Sequence, residues 1–301
     1  MEFIIKEIRK QKIGKYIENV LLSKNTTYQV GGKARLFVYP ENVLKLIILI
    51  KLLKENKIKY KVLGKGSNLI FSDQDYEGVI IKLDKFDHLI RKGTVIKVGS
   101  GYSLIKLAYE MSRKGLSGLE FATGIPGTVG GAIFMNAGAY KSDMGYIVSS
   151  VKVLTPDLKI KKLYNRELDF HYRTSFLLKN PDYICLEATL VLKQGYKREI
   201  MDLIETRKQK RLLSQPLEYP SAGSVFRNPN DDYAGRLIEV SGLKGLQIGG
   251  ALVSPKHANF IVNYHHATAK DIRDLILKVK EKVKEDHQID LIIEQEFVNF
   301  D

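Results

Sequence analysis

An α+β architecture in two domains is what this sequence predicts, and three observations predict it. Short stretches with two-residue alternation interleave with stretches of helical spacing, without an internal repeat or a low-complexity linker. Past Gly195 the texture changes, and longer charged helical segments take over from the short strands. The 301 residues are also enough for two cores of ordinary size.

Taken in order, residues 1–25 read as an amphipathic helical segment, and Glu41 to Asn56 has helical periodicity. Strands follow at Tyr60–Leu63, "LIFSD", "GVIIKL" and "TVIKVGSG". Ser103 is placed to cap a helix running to Lys114. A glycine-rich stretch from Gly115 to Gly145 precedes strands around Val148–Leu154 and Ile184–Lys193. Then come a charged helix from about Lys197 to Leu213, a helix near Tyr233–Val240 and a long one over Thr268–Asp286. The last element, "IDLIIEQEF", reads as a strand.

Composition narrows the function classes. A hydrophobic content of 44% with 27% charged residues fits a soluble globular protein. The apolar run Val43–Leu53 is broken by Lys45 and Lys51 and is too short to span a bilayer, so no membrane insertion is expected. The N-terminal "MEFIIKEIRKQK" lacks the apolar core of a signal peptide, and the expected location is cytoplasmic. One cysteine, Cys185, excludes an intramolecular disulfide and a cysteine-based zinc site. The six histidines have no metal-ligand spacing, and His265-His266 reads as a solvated turn, so no metal is expected. A net charge of +14 invites nucleic acid, but the lysines are spread along the chain and no nucleic-acid motif is present. A basic surface also suits phosphorylated small molecules. Nothing points to an obligate protein partner.

Two glycine loops carry the binding chemistry. In "LGKGSNLIFSD", Gly64, Lys65 and Gly66 follow a strand, and Ser67 and Asn68 add side-chain hydrogen bonds to a turn that can bring amides against an anion. Such a turn is also common in ordinary hairpins. In "GLEFATGIPGTVGGAIFMNAGAY", Gly124, Gly127, Gly130, Gly131 and Asn136 share one stretch. There Ile125-Pro126 sets an extended entry, and Thr128 starts a helix whose N-terminus would attract a phosphate. The competing reading is a helix packed closely on a sheet. Together the loops suggest a diphosphate held from two sides. Neither a Walker A sequence nor a complete Rossmann glycine pattern occurs.

These loops, with "NTTYQVGGKA", "YRTSF", "SAGSVFRNP", "AGRLIEVSGLKG", "GGALVSPKHANFIVN" and "ATAKDI", resemble the UDP-N-acetylenolpyruvoylglucosamine reductase family from about Thr26 to the C-terminus. The resemblance implies an FAD-binding domain of the PCMH (vanillyl-alcohol-oxidase-like) type, with two α/β subdomains, over about 26–193. It implies an α+β substrate-binding domain over 194–301. In that family FAD takes hydride from NADPH, and flavin N5 delivers it to the enolpyruvyl C3 of UDP-N-acetylglucosamine enolpyruvate. A serine protonates C2, giving UDP-N-acetylmuramate for peptidoglycan.

Residue by residue, the resemblance assigns Arg173 of "HYRTSF" to the substrate carboxylate, where charge develops and a guanidinium fork binds two oxygens. For an isolated arginine a surface ion pair is the alternative. Ser224 becomes the proton donor to carbon; by itself it is a serine in a small-residue turn. Glu294 falls at the position of the catalytic glutamate, and a two-residue slip in "LIIEQEFVNFD" selects Glu296 on the same side of a strand. Tyr172 and Asn228 match positions near the sugar nucleotide, and Arg211 a basic residue near its diphosphate. Lys256-His257 reads as a structural loop capped by the imidazole. The segment between Arg173 and "LEATL" is short, like the family's subtype without a tyrosine-bearing insertion. A different PCMH-type flavin oxidoreductase, or a non-catalytic nucleotide- or nucleic-acid-binding protein, are the competing classes.

Overall fold

Helix and strand do interleave throughout, in a computed structural model that describes residues 1–300. The chain forms two compact units. One comprises Met1–Glu18, Leu36–Lys65 and Glu77–Lys208, and the other comprises Asn19–Arg35, Gly66–Tyr76 and the chain from Gln209 onward. The expected division after residue 193 therefore differs from the compact units. The helix Lys197–Ser214 contains the change from one to the other, and two early segments join the late chain. The reason lies in packing. Tyr28, Val30 and Ile70 are buried in the same core as Leu237, Val253 and Ile276.

Two larger sheets, two two-stranded ones and two cores make up the first unit among the described residues. Its five-stranded antiparallel sheet has the order Ile160–Tyr164, Val148–Leu154, Ile184–Val191, Val95–Gly99, Leu89–Lys92. The helix Leu104–Arg113 buries Leu104, Leu107, Ala108 and Met111, the stripe that one helical face requires, in the core that also holds Ile96, Val98, Ala188 and Leu190. Ser103 caps it, accepting from the Lys106 amide as its sequence position predicted. A second core gathers Ile4 and Ile8 from the helix Glu2–Lys10 and Leu46, Leu49 and Leu53 from the helix Val43–Glu55. Val79 and Ile81 join them from a sheet that also contains the parallel strand Tyr60–Val62.

Residues 1–25 are not one helical segment. The helix stops at Lys10, Gly14–Leu21 is a strand, and only a short 3-10 turn, Leu22–Asn25, follows. Gly14 explains the break, since a Cβ there would lie 2.0 Å from the Tyr39 carbonyl oxygen. A close strand neighbour therefore sets this segment's conformation, overriding its local helical pattern.

In the second unit, a three-stranded antiparallel sheet joins Gln247–Ile248, Ala251–Val253 and Ile261–Asn263. The helix Ala269–His287 buries Ala269, Ile272, Leu275, Ile276, Val279 and Val283. Thr268 and Asp271 form its capping box, and Asp73 accepts from the Ala269 and Lys270 amides at 2.8 and 3.0 Å. The C-terminal segment is less regular than predicted. Its strand is only Glu296–Val298, parallel to Leu69–Phe71, while Ile293 makes an isolated bridge to Phe226. It changes partner between residues 293 and 296, so no continuous ladder forms. No helix among the described residues is long and apolar enough to cross a membrane.

Candidate active site

The first unit brings the two glycine loops together at Gly64 and Thr128. A Cβ on Gly64 would stand 2.8 Å from the Thr128 hydroxyl oxygen, so the contact requires glycine. The Gly64 carbonyl accepts from the ammonium of Lys82. Lys65 is exposed beside it. At Gly66 the chain turns with φ +63°, and a Cβ would meet the Asn25 carbonyl oxygen at 2.4 Å. Ser67 is half-buried, and Asn68 continues into the second unit.

In the second loop the glycines divide between packing and openness. Ile125 is extended ahead of Pro126, as the proline requires. Gly130 packs against Ser100, where an added Cβ would stand 2.9 Å from that of the serine. The helix Val129–Phe134 does not offer its first-turn amides to a phosphate, contrary to expectation. Val129 N–H donates to Tyr102 at 2.9 Å, Gly130 to Ser100 at 2.8 Å and Gly131 to the Thr128 hydroxyl at 3.3 Å. Among the described residues the amides of Gly127 and Thr128 have no such acceptor, and a Cβ on Gly127 would meet nothing within 4 Å. The unbonded amides thus lie in the Gly124–Thr128 bend before the helix. Open space with free amides fits the diphosphate of a flavin dinucleotide.

Asn136 follows at φ +44° and is buried. Its side-chain amide donates to the His171 carbonyl at 2.8 Å and accepts from Gly145 N–H at 2.9 Å. Both ends of the amide are bonded within the protein, and they brace its neighbours. The main beneficiary is the turn His171–Thr174, closed by reciprocal backbone bonds of 3.1 and 3.0 Å. Arg173 is its third residue, at φ +53°, a position usually given to glycine or asparagine. Its guanidinium donates to the Gly138 carbonyl at 2.7 Å and lies 5.1 Å from the ring of the exposed Tyr172.

The second unit brings Ser224, Glu294 and Asn68 together. Glu294 N–H donates to the Val225 carbonyl at 2.8 Å, and the Asn68 side chain donates to the Glu294 carbonyl at 3.1 Å. Glu296 N–H goes instead to the Asn68 carbonyl at 3.0 Å, and its side chain is exposed while that of Glu294 is half-buried. Asn259 clamps the chain just after the serine, accepting from Phe226 N–H at 2.9 Å and donating to its carbonyl at 2.8 Å. His257 fits its structural reading. Its Nδ1 accepts from Asn259 N–H at 3.3 Å, and burial pushes the imidazole below its ordinary pKa. Asn228 accepts from Ala234 N–H at 3.1 Å, at the start of the helix Ala234–Val240. Arg211 sits in the last turn of the helix Lys197–Ser214.

Sequence reasoning passed over Lys82, Asn259 and Gln295, all of them buried. Burial pushes the Lys82 ammonium below the ordinary lysine value, with Asp84 acting in the opposite direction and Lys65 adding to the lowering. For Lys82 the available signal was a single polar residue inside the apolar run "GVIIKL", whereas Gln295 is flanked by two glutamates in "LIIEQEF" and stands out in no such way.

An α+β chain with an open glycine-lined bend fits a flavin enzyme, and an FAD binding domain model matches residues 34–164. A second model, for the UDP-N-acetylenolpyruvoylglucosamine reductase C-terminal domain, matches residues 215–298. The chain is 46% identical over 299 residues to the UDP-N-acetylenolpyruvoylglucosamine reductase of Bacillus subtilis (strain 168), covering 99% of each. The reductase of that name from Halalkalibacterium halodurans shows the same identity and coverage. The crystal structure of the Thermus caldophilus reductase superposes with a TM-score of 0.81 at 38% identity, covering 93% of this chain and 98% of that one. The chain belongs to the UDP-N-acetylenolpyruvoylglucosamine reductase family.

Proposed function

We propose that this chain reduces UDP-N-acetylglucosamine enolpyruvate to UDP-N-acetylmuramate in the cytoplasm, for peptidoglycan precursor synthesis, with FAD bound and NADPH as donor. As a family member it is an FAD-dependent oxidoreductase with UDP-N-acetylmuramate dehydrogenase activity. Residues 26–193 act mainly as the flavin domain and 194–301 as the substrate domain, in keeping with the two family models. Gly64, Lys65, Gly66, Ser67 and Asn68 hold the cofactor together with the bend Gly124, Ile125, Pro126, Gly127 and Thr128. When bound, FAD relays two electrons from NADPH to the enolpyruvyl group.

The protein's own part is electrostatics and a proton. Reduction at C3 pushes charge onto C2 and its carboxylate, and that enediolate-like charge needs a fixed cation. Arg173 supplies it. Ser224 holds the proton for C2, and Glu294 assists the same carboxylate. Tyr172, Arg211 and Asn228 hold the sugar nucleotide, Asn228 through the loop that it ties to Ala234.

The observation that carries the residue assignment is the 2.8 Å bond from Glu294 N–H to the Val225 carbonyl, which supports a glutamate working beside Ser224. The test uses the yellow holoenzyme and follows NADPH loss with the enolpyruvyl substrate. Absence of turnover would sink the reading, and a colourless preparation would favour a non-catalytic binder. Ser224→Ala should keep flavin reduction by NADPH while nearly abolishing reoxidation by substrate. Loss of both together would make the serine structural.

A further inference from the structure

Gln295 stands between the two glutamates in sequence, yet its side chain is buried, with 4% exposure. Its Nε2 reaches three successive carbonyls, those of Ala222 at 3.2 Å and of Gly223 and Ser224 at 3.4 Å each. Its Oε1 accepts from the hydroxyl of Tyr28 at 3.1 Å. A primary amide has one accepting and one donating end, so these partners select one orientation. Reversing it would aim Oε1 at three carbonyl oxygens.

The backbone at this point needs such support. Gly223 has φ +75°, and space is open where its Cβ would be, so no side chain there wedges the turn. Asn259 fixes the chain only from Val225 onward, its carbonyl accepting from Val225 N–H at 2.9 Å and its side chain holding Phe226. Gln295 fixes the part that carries Ser224, and it is the chain neighbour of Glu294.

Resting on the roles proposed above for Ser224 and Glu294, we infer that Gln295, oriented by Tyr28, is the positioning residue that sets these two groups against one another. Its amide ties the Ala222–Ser224 carbonyls to the glutamate segment, beside the backbone bond from Glu294 N–H to Val225. Its effect on catalysis is geometric, and a displacement of about 1 Å at a reacting group costs on the order of 100-fold in rate.

The test compares the two half-reactions in holoenzyme carrying Gln295→Met, Gln295→Glu or Tyr28→Phe. Gln295→Met should slow reoxidation of the reduced flavin by UDP-N-acetylglucosamine enolpyruvate about tenfold or more at saturating substrate. It should leave reduction by NADPH within about twofold. In Gln295→Glu an ionised carboxylate cannot donate to the carbonyls, whereas a protonated one can. Its reoxidation rate relative to wild type should therefore rise as the pH falls from about 8 to about 6. Tyr28→Phe should slow the same half-reaction, less severely, and keeps the test decisive if Gln295→Met fails to fold. Wild-type reoxidation rates in Gln295→Met, a ratio flat with pH in Gln295→Glu, or equal slowing of both half-reactions would overturn the proposal. A wild-type enzyme inert toward this substrate would overturn the function reading, and the positioning role with it.

Discussion

The side-chain amide of Asn136 donates to the carbonyl of His171 across 2.8 Å, tying the second glycine loop to the turn that carries Arg173. The other end of that amide accepts from Gly145, so Asn136→Ala leaves two polar backbone groups without their partner. Both bonds are half-buried, so each such loss costs about 1 kcal/mol. The urea midpoint of Asn136→Ala should fall accordingly. Reoxidation by substrate should slow more than flavin reduction, because the Arg173 turn loses its brace. An unchanged midpoint would mean that the amide contributes nothing to holding the turn.

Arg173 at φ +53° separates backbone from side chain in one experiment. Arg173→Ala and Arg173→Gly both lose the guanidinium and its bond to Gly138, so both should fail to reduce substrate. Only alanine keeps the penalty of a Cβ in the left-handed region. Arg173→Gly should therefore be the more stable of the two, by about 1 kcal/mol. Denaturation curves of the two variants measure this directly, and equal stability would show that the turn relaxes.

What was legible in the sequence was local. Thr268 and Asp271 lie three residues apart and cap each other, and Ser103 caps its own helix, so short-range chemistry fixed both. The strand Gly14–Leu21 was missed because its neighbour at Tyr39 is remote in sequence. For the same reason the glycines could be found but not sorted. Gly130 packs on Ser100, whereas Gly127 faces open space, and only the fold distinguishes them. The catalytic candidates came from motif resemblance. Lys82 has no local signature beyond polarity in an apolar run, and Gln295 has none between its two glutamates.

The backbone partners of the two C-terminal glutamates support the proposal of Glu294 over Glu296 as the working one. Glu294 N–H bonds Val225, next to Ser224, whereas Glu296 N–H bonds Asn68 and its side chain is exposed. Glu294→Gln should lower turnover by about 100-fold or more, the range for losing a group that acts on the reacting atoms. Glu296→Gln should stay within about threefold of wild type, since a surface charge contributes little. Steady-state rates at saturating substrate separate the two, and the reverse order would reassign the role to Glu296.

Tyr76 predicts a specific loss of stability in alkali. It is buried, its ring meets Phe71 edge to face at 6.1 Å, and burial pushes its hydroxyl from 10.0 up to about 12. An unfolded tyrosine ionises near the lower value, while the folded one stays protonated until the higher. Between them the unfolded chain holds fewer protons, so stability falls as pH rises. The contribution is fully present below the unfolded pKa and is lost as the pH passes through the folded one. Allowing for partial solvent screening, the loss is about 1–2 kcal/mol. Tyr76→Phe keeps the ring contact and removes the titrating group. Its stability relative to wild type should therefore improve by that amount between about pH 9.5 and pH 12 in parallel urea titrations. A gap that stays constant with pH would mean that the hydroxyl ionises alike in both states.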